Sequence, residues 1–387
     1  MGALLLVLFL VAPAEATTKL PTIEARAWTL IDARTGETLA SHAVAHQLPI
    51  ASTTKLMTAY VVLHELPLSR IVRAAPYQAE YGESLLGLRP GQRISVRDLL
   101  YGLILRSGND AAYNLARAAA GSESRFVVQM NRYAAALGLA DTHYANPIGL
   151  DQRGNHSSAR DLATLTRHLL AIPAFARIAD ARSAVLRSVR PHRRIESINE
   201  LLQMAPWVTG VKTGHTFGAL YVLVGSGRRD GVELVSVAIG APTDEDRYRD
   251  DLDLLEYGFS QYERRVPVRG GRALAEPSIR YSGGTLPLRA ARTVAVGVRP
   301  GQQLSVAVRA PGEVDGPIQR GAPLGTATVT VDGRRMAAVA LRAGRAVPAA
   351  STLDRVRSFA ERNLIGLAMA LSAILIVGAL LFRRLFR

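Results

Sequence analysis

The spacing of apolar residues changes twice along the chain and separates strand-like from helix-like stretches. Alternation over 27–42, interrupted by a turn at 34–36, predicts a β-hairpin. Helical spacing then predicts helices over 52–66, 96–105, 111–120, 123–137 and 162–171. Strands return near Val208 and over 221–225 and 232–239, before a helix predicted over 251–262. Strands at both ends of 17–263 predict one α+β domain, whose hairpin joins the later strands in an antiparallel sheet beside a helical subdomain.

A serine precedes three of the predicted helices by one to four residues. Ser95 and Ser122 precede the apolar periodicity directly, where a side-chain oxygen can accept a hydrogen bond from a free backbone N–H. Ser158 is followed three residues later by Asp161, which is the spacing of a capping box. These serines therefore predict where the three helices begin.

The pattern changes again after residue 263. Segments 292–298, 303–308 and 326–331 alternate like half-buried strands, and Asp332-Gly333 is a strong hairpin signal. We therefore predict a small all-β domain over 264–349. Charges at helical spacing then predict a juxtamembrane stalk over 350–363.

Both ends of the chain carry apolar runs. Residues 364–382 form an uncharged run of ~19 residues, which at ~1.5 Å per residue just spans a bilayer core of ~30 Å. Arginines in the tail over 383–387 place that tail in the cytoplasm and the rest of the chain outside. The run over 4–11 and the following Ala-Glu-Ala predict a signal peptide over 1–16, with an uncleaved anchor as the alternative. The expected localisation is the cell membrane, with a single C-terminal span and a periplasmic or otherwise extracytoplasmic catalytic domain.

Composition narrows the possible functions. The chain of 387 residues is long enough for two domains, and its 47 basic against 32 acidic residues give a net charge of +15. Such a charge suggests nucleic-acid binding, but both export signals argue against it, so we interpret the charge as contact with anionic lipid or wall polymer. The absence of cysteine excludes disulfides and thiol catalysis. No histidine signature or phosphate loop is present, so we expect no metal and no cofactor.

The first candidate for chemistry is Ser-Thr-Thr-Lys at 52–55. Positions i and i+3 of a helix share one face, so the Lys55 amine can reach the Ser52 hydroxyl. A neutral Lys55 can accept the hydroxyl proton while Ser52 attacks a carbonyl, provided that its pKa is lowered by burial and by a second cation such as Lys212. Ser52 also begins the predicted helix, where free N–H groups favour a developing oxyanion. A capping serine beside a solvated lysine is the alternative.

Two further tripeptides complete the set. Ser-Gly-Asn at 107–109 lies between two predicted helices, where Ser107 can relay a proton and Asn109 can orient a substrate amide and hold Lys55. Lys-Thr-Gly at 212–214 lies on a predicted strand. Lys212 and Thr213 suit a terminal carboxylate, and Gly214 leaves room for a substrate backbone. Each tripeptide alone is an ordinary loop or surface sequence, and the joint occurrence points to an acyl-serine enzyme.

With these motifs the chain resembles the low-molecular-mass penicillin-binding proteins of the D-alanyl-D-alanine carboxypeptidase family. The resemblance covers roughly 27–344 and implies a β-lactamase/transpeptidase-like fold followed by an all-β domain. It rests on matching segments at 49–58, 105–112, 146–150, 156–159, 210–216, 322–325 and 332–333. The resemblance implies that the penultimate D-Ala carbonyl of a peptidoglycan stem pentapeptide acylates Ser52, that D-Ala leaves, and that water releases the shortened peptide. It also implies acylation by β-lactams.

The resemblance also implies roles for residues outside the three motifs. The backbone N–H groups of Ser52 and His215 would form the oxyanion hole, and Arg247 would lie near the substrate carboxylate. The chain departs from the family where Ala-Gly usually follows the third motif, because Leu220 occupies the glycine position. A side chain there is expected to narrow the region behind the catalytic strand.

Three alternatives stay open from the sequence. Two share the acyl-enzyme: a D,D-endopeptidase that cuts cross-links, and a class A-like β-lactamase. The all-β domain, the membrane anchor and Ser-Gly-Asn in place of Ser-Asp-Asn disfavour the lactamase. The third is a non-catalytic envelope protein that keeps the fold only to bind glycan or partners, and the intact motifs argue against it.

Overall fold

The structure is a computed structural model that describes residues 3–11, 19–281, 283–363, 369 and 372–378. The chain divides into two compact units. One spans Ala16–Tyr262, and the other combines Met1–Glu15 with Glu263–Arg387. The three motifs all lie in the first of these units.

The regular elements of the described residues are as follows. The strands are β1 Ala3–Val11, β2 Ala27–Asp32, β3 Thr38–His42, β4 Ile71–Arg73, β5 Arg93–Ser95, β6 Ser183–Leu186, β7 Arg193–Glu196, β8 Val208–Thr216, β9 Leu220–Arg229, β10 Val232–Ala241, β11 Glu263–Val268, β12 Ala273–Ala275, β13 Ser278–Ile279, β14 Leu288–Ala290, β15 Val294–Val298, β16 Gln303–Pro311, β17 Glu313–Val314, β18 Pro323–Val331 and β19 Arg334–Ala343. The helices are α1 Lys55–Glu65, α2 Val96–Leu105, α3 Asn109–Ala120, α4 Glu123–Ala136, α5 Ala159–Leu170, α6 Pro173–Ala179, α7 Leu201–Met204, α8 Asp244–Ser260 and α9 Thr352–Arg362, and a 3-10 turn covers Ala51–Thr54.

A five-stranded sheet organises the unit 16–262. Its order is β3-β2-β10-β9-β8, and each neighbouring pair is antiparallel. Both faces are buried, because Val235 and Val237 pack into one apolar cluster while Leu234 and Ala238, on the opposite face of β10, pack into another. Helices α5 and α8 both pack against β10. The prediction of an α+β domain whose N-terminal hairpin joins the later strands is therefore confirmed.

The helix starts predicted from Ser95 and Ser122 are confirmed, whereas α5 begins at Ala159 and only half of the predicted capping box forms there, because the Asp161 carboxylate accepts from Asp141 N and Thr142 Oγ1. The side chains of Ser95, Ser122 and Ser158 each accept a hydrogen bond from the backbone N–H three residues ahead. The start predicted at Asp251 was wrong, because α8 begins at Asp244. There the Thr243 hydroxyl accepts from Asp246 N at 3.1 Å, and the acidic first turn suits the positive end of the helix dipole.

The helix predicted from Ser52 is also corrected. Residues 51–54 form a 3-10 turn, and α1 begins only at Lys55. Ser52 thus lies in a tighter turn that precedes the α-helix. With 3.0 residues per turn, side chains at i and i+3 are eclipsed, so Lys55 is aligned with Ser52 more directly than on an α-helix.

The C-terminal unit contains its own sheet and apolar cluster. The sheet order is β1-β16-β18-β19-β14-β12, and the strands predicted over 303–308 and 326–331 lie within β16 and β18. The hairpin predicted at Asp332-Gly333 joins β18 to β19, with positive φ at both residues as a type I′ turn requires. Helix α9 lies within the predicted stalk.

The predicted targeting segments are only partly described. The backbone over Ala3–Val11, inside the predicted signal peptide, pairs antiparallel with β16. Within the predicted membrane span 364–382 only residue 369 and residues 372–378 are described, and the tail 383–387 lies outside the described residues. In the portion of the chain that is described, no helix combines the length and apolarity needed to cross a membrane.

Candidate active site

The first and third motifs meet at one edge of the sheet. Strand β8 is the edge strand that carries residues 212–214, and it packs against the 3-10 turn that carries Ser52. The Lys55 ammonium group Nζ donates to Ser52 Oγ at 2.8 Å and to the carbonyl oxygen of Ile148 at 2.5 Å. The predicted pair of serine and lysine is therefore in direct contact.

Two glycines allow neighbouring backbone to approach Ser52 closely. A Cβ built on Gly149 would lie 2.1 Å from the Ala51 carbonyl oxygen, and one built on Gly214 would lie 3.1 Å from Ser52 N. The sequence interpretation gave the space at Gly214 to a substrate backbone. On the side where a Gly214 side chain would project, residues 50–52 lie in close contact.

Burial governs the protonation of Lys55. The side chain is fully buried, and desolvation lowers its pKa to about 7, against the opposing charges of Glu83 and Asp110. Burial thus acts in the predicted direction, whereas Lys212, the second cation predicted to lower the pKa of Lys55, is not among the groups that shift it. Lys212 is itself affected by the neighbouring cations: burial, then Lys55, then Arg247 lower its pKa well below the usual range.

The second motif faces the third across the site. Lys212 Nζ donates to Ser107 Oγ at 2.9 Å and to the Thr213 carbonyl oxygen at 2.6 Å. Ser107 adopts a φ of 55°, a left-handed conformation that costs a non-glycine residue about 1–2 kcal/mol. Strained backbone of this kind concentrates at functional sites. The Ser107 hydroxyl hydrogen stays available for a further partner, because the lysine is the donor.

Asn109 lies at the start of α3, and its contacts differ from the expectation. Its Nδ2 donates to Glu83 Oε2 at 2.7 Å, whereas the contacts of Lys55 are Ser52 and Ile148. Its Oδ1 is buried, and no described residue donates to it. The expectation that Asn109 holds Lys55 was therefore wrong, and the amide is held by a carboxylate that the sequence analysis did not identify.

The remaining predicted residues lie along β8 and behind it. Thr213 is buried, and His215 is exposed with its ring stacked on Tyr221 at 4.3 Å between centroids. Arg247 is nearly buried and forms an ion pair with Asp244. Its guanidinium donates to the Gly214 carbonyl oxygen at 3.0 Å, which places a positive charge directly behind the third motif.

Leu220 begins β9 with a φ of 55°. This value lies in the left-handed region that glycine adopts without cost. The departure from the family pattern therefore places a half-buried leucine in a conformation suited to glycine.

Three residues that contribute to the candidate site were not identified as such from the sequence. Ile148 acts through its backbone carbonyl, so its side-chain type carries no signal. Glu83 lies in a loop without periodicity, and Asp110 directly follows the second motif and accepts hydrogen bonds from three backbone N–H groups of residues 86–88. Among the described residues no group of three His, Cys, Asp or Glu side chains is arranged to hold a metal ion.

Comparison with known proteins agrees with this geometry. Residues 14–243, more than half of the chain, match the peptidase S11 family, described as D-alanyl-D-alanine carboxypeptidase. The chain is 30% identical over 324 residues to the D-alanyl-D-alanine carboxypeptidase DacF of Bacillus subtilis (strain 168). The aligned region covers 81% of this chain and 83% of that protein. The chain is 36% identical over 279 residues to DacC of Escherichia coli (strain K12), covering 68% and 69%.

A solved structure shares the same architecture. The crystal structure of penicillin binding protein 6B from Escherichia coli superposes with a TM-score of 0.61 at 30% identity, covering 84% of this chain and 97% of that one. The two serine–lysine contacts and the antiparallel sheet with its helices are consistent with these matches. The chain thus has the penicillin-binding, transpeptidase-like α+β fold and belongs to the peptidase S11 family of D-alanyl-D-alanine carboxypeptidases.

Proposed function

We propose that this serine-type D-Ala-D-Ala carboxypeptidase acts through an acyl-enzyme on Ser52. The observation that carries the proposal is a pair of contacts made by two buried lysines, Lys55 with Ser52 and Lys212 with Ser107. Each joins a hydroxyl to an amine whose pKa is lowered by burial. Such an arrangement can move protons at neutral pH without a metal ligand set or a thiol.

Acylation would proceed as follows. The neutral Lys55 amine takes the hydroxyl proton while Ser52 Oγ attacks the penultimate D-Ala carbonyl of the stem peptide. The backbone N–H groups of Ser52 and His215 stabilise the resulting oxyanion, and one donor of this type is worth about 3 kcal/mol of barrier. The C–N bond then breaks, and the terminal D-Ala leaves as its nitrogen gains a proton. Water later releases the shortened peptide from Ser52.

The second and third motifs would serve the leaving group and the substrate terminus. Ser107, held by Lys212, passes a proton to the departing nitrogen. Asn109 contacts the substrate amide. Lys212, Thr213 and Arg247 attract the terminal carboxylate, and the arriving negative charge would raise the pKa of Lys212 and favour its charged form.

A two-step experiment tests this proposal. The extracytoplasmic part, 17–349, is incubated first with a fluorescent penicillin and then with a pentapeptide that ends in D-Ala-D-Ala. We expect covalent label on Ser52, lost in Ser52→Ala, and release of D-Ala from the peptide. Absence of label on the wild-type protein would contradict the acyl-serine mechanism. Label with rapid penicillin hydrolysis and no D-Ala release would favour the β-lactamase. Cleavage of cross-linked dimers would favour the endopeptidase, and the absence of both activities would favour a binding protein.

The domain boundaries and the anchor are proposed on the sequence pattern. Residues 1–16 would act as a signal peptide, 17–263 as the catalytic domain and 264–349 as a β domain. The stalk 350–363 and the span 364–382 would tether the enzyme to the membrane, with 383–387 in the cytoplasm. The charge asymmetry and the site of action of peptidoglycan enzymes support this topology. Deletion of 350–387 should move the protein from the membrane fraction to the soluble fraction, and unchanged membrane recovery would contradict the anchor.

A further inference from the structure

A carboxylate outside the three motifs is bound to the second motif. Glu83 lies in the loop between β4 and β5, and its Oε2 accepts hydrogen bonds from Asn109 Nδ2 at 2.7 Å and from the Tyr77 hydroxyl at 2.5 Å. Its Oε1 accepts from the backbone N–H of Glu80 at 3.0 Å. Three donors therefore fix both oxygens of this side chain.

The loop that carries Glu83 is attached firmly to α3. Asp110 accepts from the backbone N–H groups of Leu86, Gly87 and Leu88 at 2.7–2.8 Å. The backbone N–H of Asn109 donates to the Ser84 carbonyl oxygen at 2.8 Å. Because the residues directly after Glu83 are held against α3, the carboxylate has a defined position beside Asn109.

This contact decides how the Asn109 amide is turned. A carboxylate can only accept hydrogen bonds, so it selects the NH₂ end of the amide and directs the carbonyl end away. That carbonyl oxygen, Oδ1, is buried and receives no hydrogen bond from any described residue. Glu83 thus sets the orientation of the Asn109 amide and leaves Oδ1 without a donor among the described residues.

Glu83 also places a negative charge that acts on Lys55. Burial opposes its ionisation, but hydrogen bonds from Asn109 and Tyr77 and the charge of Lys55 lower the pKa of Glu83. In return the negative charges of Glu83 and Asp110 act on Lys55 and oppose the lowering of its pKa by burial. The carboxylate thus favours the protonated form of the lysine.

We propose that Glu83 is a positioning residue of the acyl-transfer site, which orients the Asn109 amide toward substrate and supplies a negative charge that acts on Lys55. This proposal rests on the acyl-enzyme function proposed above. Two properties of the side chain are involved, its reach and its charge, and they can be separated by substitution.

Glu83→Gln keeps the acceptor oxygen but removes the charge. Without the opposing charge the Lys55 pKa falls further, so the acid limb of the acylation pH profile should move to lower pH by about half a unit or more. Glu83→Asp keeps the charge but retracts the oxygen from Asn109. The acid limb should then stay near its original pH while kcat/KM for D-Ala release falls about tenfold, because the substrate amide is less well oriented.

Glu80→Gln is the matched control, since it lies in the same loop and its exposed side chain does not contact Asn109 in the described structure. It should leave both readouts unchanged, and thermal melting confirms that each variant is folded. An unmoved acid limb in Glu83→Gln overturns the electrostatic role, and unchanged kcat/KM in Glu83→Asp overturns the orienting role. If one of the two Glu83 variants does not fold, the other still tests the role that it was designed to test. A wild-type protein without penicillin label would contradict the proposed function instead.

Discussion

Gly149 offers a sharp test of how closely the site is packed. Its φ of 91° is left-handed, and a Cβ at this position would lie 2.1 Å from the Ala51 carbonyl oxygen and 3.0 Å from Ser52 Cα. Gly149→Ala therefore introduces two separate costs. One is the backbone conformation, and the other is a collision with the turn that carries the nucleophile.

The magnitudes of the two costs differ. A left-handed φ costs an L-residue about 1–2 kcal/mol of stability. Relief of the collision requires a displacement of more than about 1 Å to reach ordinary contact distance. This displacement falls on Ala51 and Ser52 or on the Ile148 carbonyl that binds Lys55, and a misplacement of about 1 Å can reduce a rate by about 100-fold. We expect acylation to fall by about that factor.

Gly138→Ala separates the two costs. Gly138 has a φ of 70° and no neighbouring atom within 4 Å of a built Cβ, so this variant carries the conformational strain alone. It should lose about 1 kcal/mol of unfolding free energy and acylate at the wild-type rate. The assays are stopped-flow labelling with a fluorescent penicillin and thermal unfolding. If Gly149→Ala acylates within about threefold of Gly138→Ala, the reasoning from close packing is refuted.

Three further predictions concern protonation. Since the Lys55 base must be neutral and its pKa is about 7, the acylation rate should fall about 50-fold from pH 7 to pH 5; a flat profile in a penicillin-labelling series would exclude Lys55 as the base. Ser107→Ala should lower D-Ala release by about 100-fold with little change in melting temperature, and peptide turnover near the wild-type rate would remove Ser107 from the relay. Burial raises the pKa of Asp251, whose Oδ1 accepts from Ser236 Oγ at 2.5 Å. As pH rises above the ordinary carboxyl range, the unfolded chain releases the proton that the folded state still holds, so the folded state loses stability. Asp251→Asn removes this cost, and its melting temperature relative to wild type should increase between pH 5 and pH 8; an equal difference at both values would contradict the argument.

Local features were predictable wherever neighbours in sequence decide the outcome. The caps at Ser95, Ser122 and Ser158 depend on a side chain and a backbone N–H only three residues apart. The hairpin turn at Asp332-Gly333 likewise depends on two adjacent residues. The start of α8 was missed because its acidic first turn was not interpreted as a helix N-terminus.

The sequence by itself determined that Ser52 and Lys55 can meet, because a single helical turn separates them. Tertiary structure decided the rest of the site. The tighter 3-10 turn at 51–54 is packed against Gly149 and Gly214, which lie about 100 and 160 residues further along the chain. Ile148 contributes a backbone carbonyl, which no side-chain pattern encodes, and Glu83 reaches Asn109 from an aperiodic loop 26 residues away. Contacts between distant segments carry no local signal, so only the folded chain brings them together.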